Sequence, residues 1–457
     1  MVYNLTLHTV ITGFLMLVLL GLLQSSAFAT ALPTHARHMN EQLGAGQPMA
    51  PALASPAGER VTSYGFLPYW ISDPMTLDYD SLTHVAYFRV GLNGSGTPTE
   101  TSGWNAIADD LVDAAHAVGT KVHLTVAVFD ESTQNSVLGN ATNRANAVSA
   151  LASLVNDAGA DGVNVDFEGT PYGQKDNLVA FVTALKAEVD EVYVDTPAVD
   201  WSGAYDYSAL SAASDGLFVM AYDYHWGGGD PGPVGPLYGG YLWGDYAMDW
   251  TLEDYRYWGA TDDKIVLGVP MYGREWPAAS DAVPGTATGD ATSITVENAI
   301  SRAADYPYRF DDTSQTAWAF TEVGQLWYDN YATLETKLTW GVDQGIQGVG
   351  YWALGYDGND PAFWEMVDRV TLLPSPDDTD EPDTGDVDTG DVDTGDMDTG
   401  TGNGGMPDSP PTRDSEDDAS ADDAEKPGGC GCATTTPPRV GWLALPLLGL
   451  LASRRRR

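Results

Sequence analysis

The sequence predicts an α/β fold: a (β/α)8 TIM barrel with a small α+β insertion between its seventh and eighth strands. Three observations predict it. Short β-like runs alternate with helical patterns from Val61 to about Leu373, which argues for parallel βαβ units. Eight such repeats occupy roughly 310 residues, against a typical barrel of about 250, leaving room for an insertion. One run, Asp161–Glu168, also carries Asn164, Asp166 and Glu168 two residues apart, with Val163, Val165 and Phe167 between them. In a strand these sets face opposite ways. The polar row ends on Glu168 just before Gly169, at the C-terminal strand edge where such barrels hold their chemistry.

The elements follow in order. Residues 9–23 are almost all apolar and Ala27-Phe28-Ala29 fits a small-x-small cleavage pattern, so residues 1–29 read as a signal peptide. Residues 30–60, rich in Ala, Pro and Gly, read as a flexible spacer. The barrel spans 61–373. Its candidate strands are Ser63–Leu67, His84–Arg89, Lys121–Val128, Gly162–Phe167, Glu191–Thr196, Gly216–Tyr222, Ile265–Val269 and Gly348–Ala353. Helical stretches such as Asn105–Val118, Ala145–Ala158 and Asp176–Val189 lie between them. The long interval 273–337 holds the insertion.

Past Pro374 the composition changes. Asp-Thr-Gly-Asp-Val recurs at Asp383 and Asp388, then Asp-Thr-Gly-Asp-Met at Asp393. Residues 374–427 are therefore expected to form a disordered acidic linker, too polar to bury a core. Residues 428–457 carry Cys430 and Cys432, a short apolar run from Val440 to Ala452, and Arg454–Arg457. That run is shorter than the ~20 residues of a spanning helix. With its arginines it behaves as a stop-transfer or sorting signal.

Charge and composition exclude some functions. A net charge of −44 argues against nucleic acid, whose phosphates need Lys and Arg. Both cysteines fall in the terminal segment, so the barrel has no disulfide and no thiol chemistry. No metal and no cofactor is implied. Thirteen of the 14 tryptophans lie between Trp70 and Trp364; such an aromatic-rich region suits either a large core or sugar stacking. Glu168 is the best candidate for a general acid, because a partly apolar barrel mouth raises its pKa.

The Asp161–Glu168 segment resembles the DxxDxDxE signature of glycoside hydrolase family 18, the chitinase-like barrels. Other motifs follow in the family's order. Tyr64 to Trp70 resembles the first strand and loop, Met220-Ala221-Tyr222-Asp223 the sixth strand, Leu267 to Arg274 the seventh, and Gly348 to Asp357 the eighth. Asn164, Phe167 and the Pro231-Gly232-Pro233 loop are most similar to the bacterial spore-cortex branch. The terminal segment resembles the sorting signals of myxobacteria, which implies delivery to the cell surface or outer envelope by membrane or sorting machinery.

The resemblance implies a secreted, monomeric, retaining glycosidase acting on polymers of β-linked N-acetylglucosamine, with peptidoglycan first and chitin-type oligomers second. The substrate's own 2-acetamido oxygen would attack the anomeric carbon. It implies a catalytic set of Glu168, Asp166, Tyr222 and Asn164. Asp166 would hold the acetamido N–H and Tyr222 its carbonyl. Trp352 and Asp223 would bind sugar, with Tyr272, Arg274 and Trp70 as further substrate contacts at the mouth. Asp161, of opposite strand parity, and Met220 are assigned support. The family often has Asp where this chain has Asn164; asparagine there is expected to free Asp166 from a like-charge neighbour. The distinct alternative is a catalytically silent, lectin-like surface protein, which the intact Glu168 disfavours.

Overall fold

Fourteen strands and their helices describe the chain in a computed structural model, over residues 33–50 and 58–373. The expected signal peptide, acidic linker and sorting signal lie outside those residues. Numbered along the chain, the strands are β1 Thr62–Pro68, β2 His84–Leu92, β3 Pro98–Thr99, β4 Lys121–Ala127, β5 Gly162–Asp166, β6 Glu191–Pro197, β7 Gly216–Met220 and β8 Ile265–Pro270. There follow β9 Tyr272–Pro277, β10 Thr292–Thr295, β11 Arg309–Asp311, β12 Thr316–Phe320, β13 Gly324–Tyr328 and β14 Gly348–Trp352.

All but one of the strands outside the insertion pair in parallel, in the order β1-β14-β8-β7-β6-β5-β4-β2, and pairing of β1 with β2 closes the ring. The short β3 pairs antiparallel with β2. The observed fold is thus the (β/α)8 barrel, and each candidate strand coincides with one barrel strand.

The helices that cover the ring follow from local signals. Ala141–Ala158 begins where the Asn140 side chain accepts from the Thr142 and Asn143 amides, and ends at Gly159 with φ of 69°. That is an N-cap with a left-handed C-terminal glycine. Its Val148, Leu151, Ala152 and Val155 are buried, the i, i+3, i+4, i+7 spacing of one helical face. Each fully buried Leu or Val contributes about 2 kcal/mol. Replacing Leu151 by Ala would remove the centre of that face.

Inside the ring, side chains stack in layers. Tyr64 packs on Tyr193 with centroids 5.0 Å apart, Phe66 meets Phe218 at 4.8 Å, and Phe88 meets Trp352 at 4.8 Å. Phe218 fits because β8 and β14 present Gly268 and Gly350; an added Cβ would sit 2.5 Å and 2.4 Å from its ring. Polar side chains in this interior include His84 and His123 beside Tyr64 and Tyr193 towards the base, and Asn164, Asp166 and Asp195 towards the mouth, all buried.

Two boundaries differ from expectation. The insertion is a five-stranded antiparallel sheet, β10-β9-β13-β12-β11, with the helix Val296–Ala303. It closes at Tyr328, because Tyr331–Asp343 packs back on β8 and β14 as a barrel helix. The second difference is larger. Much of the segment expected to be a flexible spacer is folded: Thr34–Glu41 is a helix that buries Thr34, His35, Ala36 and His38. Those residues are polar or small, so no apolar period marks the helix; partners far along the chain hold it.

Candidate active site

Register sets the centre of the site. β5 pairs with β6 so that Gly162 faces Glu191 and Asn164 faces Tyr193, which brings Asp166 level with Asp195. Asn164 Nδ2 donates to Asp195 Oδ1 at 2.8 Å. The two carboxyls of Asp195 and Asp166 come within 4.8 Å of one another, close enough to disfavour a charge on both. Burial first, and then Asp166, push the Asp195 pKa well above the carboxylate range. Asn164 itself places no charge beside Asp166 and offers an amide N–H instead; a carboxyl not foreseen from the sequence, Asp195, comes from the adjacent strand.

Glu168 stands two residues beyond Asp166, after β5 has ended. Gly169, with φ of 67°, turns the chain behind it, a conformation that suits glycine. Gln134 Nε2 donates to the Glu168 carbonyl at 2.7 Å, and the Tyr205 hydroxyl to the Phe167 carbonyl at 2.5 Å. The carboxyl of Glu168 is pushed well above its ordinary range, by burial most of all and then by the charges of Asp166 and Asp195. A carboxyl that keeps its proton to higher pH is the better proton donor.

The end of β7 supplies Tyr222 and Asp223. Burial, followed by the charge of Asp195, raises the Tyr222 hydroxyl well above its ordinary pKa, so it remains an O–H donor. Asp223 is an acceptor hub. Tyr272 Oη donates to it at 2.7 Å and Arg274 at 2.6 Å and 3.2 Å. Burial alone would raise Asp223, but Arg274 and Arg37 outweigh it and hold the group below the usual carboxylate range. Tyr272 and Arg274, expected to contact substrate, are buried and committed to Asp223. Arg274 also donates to Ser293 Oγ at 3.2 Å.

Trp352 is fully buried at the end of β14 and floors the site. Trp70 is turned to another use: its indole N–H donates to the Leu43 carbonyl at 2.8 Å. Asp161 lies at the opposite end of β5 and accepts from His116 Nε2 at 2.8 Å and the Val122 amide at 2.7 Å, which is a brace. Met220 is core.

Over this floor sits the helix Thr34–Glu41. His35 Nδ1 is 2.9 Å from Asp166 Oδ2, and His35 Nε2 is 2.7 Å from the Tyr222 hydroxyl. Its ring stacks on Trp352 with centroids 3.7 Å apart and planes 22° from parallel. Nδ1 also lies 3.8 Å from Glu168 Oε1 and 3.9 Å from Asp195 Oδ2. Sequence reasoning missed both Asp195 and this helix. Asp195 had a signal, since Glu191, Tyr193 and Asp195 alternate along β6 as Asn164, Asp166 and Glu168 do along β5 and its exit. The helix had none of its own.

The group His35, Asp166 and Asp195 brings one nitrogen and two carboxylate oxygens within 4.8 Å of one another. Its one nitrogen is already engaged, since His35 Nδ1 lies 2.9 Å from Asp166 Oδ2. The arrangement can instead donate a proton from Glu168, accept an N–H at Asp166 and donate an O–H from Tyr222, above an aromatic floor.

Known proteins share this frame. The profile of Glycosyl hydrolases family 18 matches residues 62–357. The putative sporulation-specific glycosylase YdhD of Bacillus subtilis is 26% identical over 385 residues, covering 75% of this chain and 86% of that one. The cortical fragment-lytic enzyme of Bacillus anthracis is 24% identical over 315 residues, 64% of this chain and 69% of that one. Among solved structures, the chitinase of Cycas revoluta bound to (GlcNAc)3 superimposes with a TM-score of 0.62 at 19% identity, over 68% of this chain and 99% of that one. The chain belongs to glycosyl hydrolase family 18.

Proposed function

We propose that the protein is a retaining glycosidase that cleaves β-linked polymers of N-acetylglucosamine by substrate-assisted catalysis. The observation that carries this reading is the convergence of Asp166 and Tyr222 on the position of one small ring above Trp352, with a raised Glu168 beside it. A 2-acetamido sugar presents an N–H and a carbonyl oxygen in that position. Asp166 accepts the N–H and Tyr222 donates to the carbonyl. The acetamido oxygen then attacks C1 as Glu168 gives its proton to the leaving oxygen. Water resolves the cyclic intermediate as Glu168 takes a proton back, with net retention.

The names of two relatives support a choice of substrate. One is named for sporulation and one for cortical fragments, which supports peptidoglycan glycan strands first and chitin-type oligomers second. A groove of about 160 Å³ beside Tyr222, lined by Pro197, Trp201, Tyr224 and Tyr246, extends the site. Trp201 and Tyr246 meet edge to face at 5.1 Å and are half-exposed, a surface on which further sugars stack. Secretion and delivery to the cell envelope complete the proposal, supported by the Ala27-Phe28-Ala29 pattern and by the terminal apolar run with its arginines.

The test is incubation with chitotetraose and with purified glycan strands, read by mass spectrometry. Because the Thr34–Glu41 helix stands over the carboxylates, the assay uses both the native chain and a His35→Ala/Arg37→Glu variant, each with and without Glu168→Gln. Cleavage only where Glu168 is intact is the expected result. Binding without cleavage in all four proteins replaces this reading with the lectin-like one.

A further inference from the structure

We propose that residues 33–50 are an intramolecular inhibitor, with His35 occupying the cleft in place of the acetamido group of the substrate. The proposal rests on the reading of the cleft given above.

The chemistry of the contact supports mimicry. In the tautomer that carries its proton on Nδ1, His35 donates to Asp166 Oδ2 at 2.9 Å. Nε2 is then a lone pair that accepts from the Tyr222 hydroxyl at 2.7 Å. One donor and one acceptor on opposite sides of a small planar group is what an acetamide offers the same two residues. His35 Nδ1 also lies 3.8 Å from Glu168 Oε1, so the ring stands beside the proton donor as well. The stack on Trp352 covers the floor.

The segment is fastened along its length. Thr34 Oγ1 donates to Asp223 Oδ2 at 2.5 Å, and Arg37 Nη1 lies 3.3 Å from the same oxygen. His38 Nδ1 accepts from the Trp352 indole at 2.8 Å. Burial first, then Arg274, holds His38 well below its ordinary pKa, which keeps that nitrogen an acceptor. The Leu43 carbonyl accepts from Trp70. Gln47 Oε1 accepts from Thr295 at 2.9 Å and from Asn298 at 3.1 Å, and its amide donates to Glu297. Ala50 closes the series, its N–H on the Gly358 carbonyl and its carbonyl on Asn359 Nδ2.

Charge points the same way. The chain has 65 acidic residues against 21 Lys and Arg, yet the helix that enters the acidic mouth sets Arg37 against Asp223. Grooves remain on both flanks. One of about 400 Å³ is lined by Ala36, Met39, Asn40, Arg89 and Val128; the other is the groove beside Tyr222. The segment therefore interrupts an elongated cleft, and a sugar chain spanning both grooves must displace it. A tethered occupant competes at a high effective concentration, and the apparent affinity of a ligand falls with the open fraction.

The test compares the native full chain with His35→Ala/Arg37→Glu, which removes the mimic and sets a carboxylate against Asp223. Hydrogen exchange at the amides of residues 37–43 reports seating without any sugar. Calorimetry with chitotetraose, in a Glu168→Gln background of both proteins, reports access. Slow exchange in the native chain, fast exchange in the variant, and at least tenfold tighter chitotetraose binding by the variant are expected. Gln47→Ala, which loosens the segment away from the carboxylates, should give a smaller change of the same sign. Fast exchange in the native chain, or equal affinity in both proteins, overturns the proposal. If the exchange difference holds while neither protein binds chitotetraose, the sugar reading of the cleft fails and the occupancy stands.

Discussion

The two ends of the barrel are built from the same residue types. At the base, Glu191 accepts from His84 at 2.9 Å and from His123 at 3.1 Å, with Lys121 as a third partner. Burial works to raise Glu191, but the bonds from His123, His84 and Lys121 outweigh it and hold the group below the usual carboxylate range. Burial takes His84 down to about 4, so it serves as a neutral N–H donor. At the mouth, Asp166, Glu168 and Asp195 share far fewer donors, and Glu168 and Asp195 are raised. Asp166 Oδ1, Glu168 Oε1 and Asp195 Oδ2 still lack a partner beneath the helix. One carboxylate among several donors makes a finished structural joint. Several carboxylates among few donors make a site that needs a ligand to complete it.

Glu168→Gln breaks this comparison most severely. In the His35→Ala/Arg37→Glu background it removes the acid, and kcat on a chitotetraose substrate should fall by about 10²–10⁴-fold. Its effect on stability has the opposite sign. A carboxyl whose folded pKa is raised stabilises the fold at low pH, and that contribution is lost as pH rises from the unfolded value, ~4.3, through the folded one. Glutamine carries no charge to bury, so calorimetry at pH 7 should show a higher melting temperature than the native chain. A lower one would mean that Glu168 is ionised and stabilising in the folded protein.

Asp195→Asn comes next. Asp195 is one of the charges that raise Glu168, after burial and Asp166. Replacing it lowers the pKa of Glu168, so the alkaline limb of the pH–rate profile should move to lower pH, with a rate loss of about tenfold or more. An unmoved limb with an unchanged rate would show that Asp195 does not couple to the acid.

Much of the mouth was legible from the sequence because strand alternation exposes it. The spacing of Asn164, Asp166 and Glu168 survives any detail of packing, and Tyr222, Asp223 and Trp352 arrive at the same end because parallel strands must. What alternation within one strand cannot give is register between two. Asp195 became visible only when β6 was set beside β5. Arg274 and Tyr272 were assigned to substrate because a barrel mouth favours that use, whereas Asp223 satisfies them first. The Thr34–Glu41 helix was least legible. Its Thr34, His35 and His38 are held by Asp223, Asp166, Tyr222 and Trp352, more than a hundred residues away, so neither helical period nor composition could mark it.

The smallest effect on activity belongs to the base. Glu191→Gln leaves the mouth untouched, so kcat in the His35→Ala/Arg37→Glu background should stay within about twofold, while His84, His123 and Lys121 lose their shared acceptor. Removing one partner of a fully buried ion pair costs about 3–5 kcal/mol; Glu191 keeps 18% of its side chain exposed, so solvent reduces this to about 2 kcal/mol. The pH dependence supplies the sharper check. Glu191 has a depressed folded pKa, so its stabilisation is present above the unfolded value and is lost as pH falls through the folded one. The deficit of the Glu191→Gln variant relative to the native chain should therefore be full at pH 7 and shrink as the solution is acidified below ~4.3. Glu168→Gln should behave in mirror image, its gain growing from pH 4 to 7. Parallel pH curves for the two variants would show that the two ends of the barrel do not differ electrostatically as their donors imply.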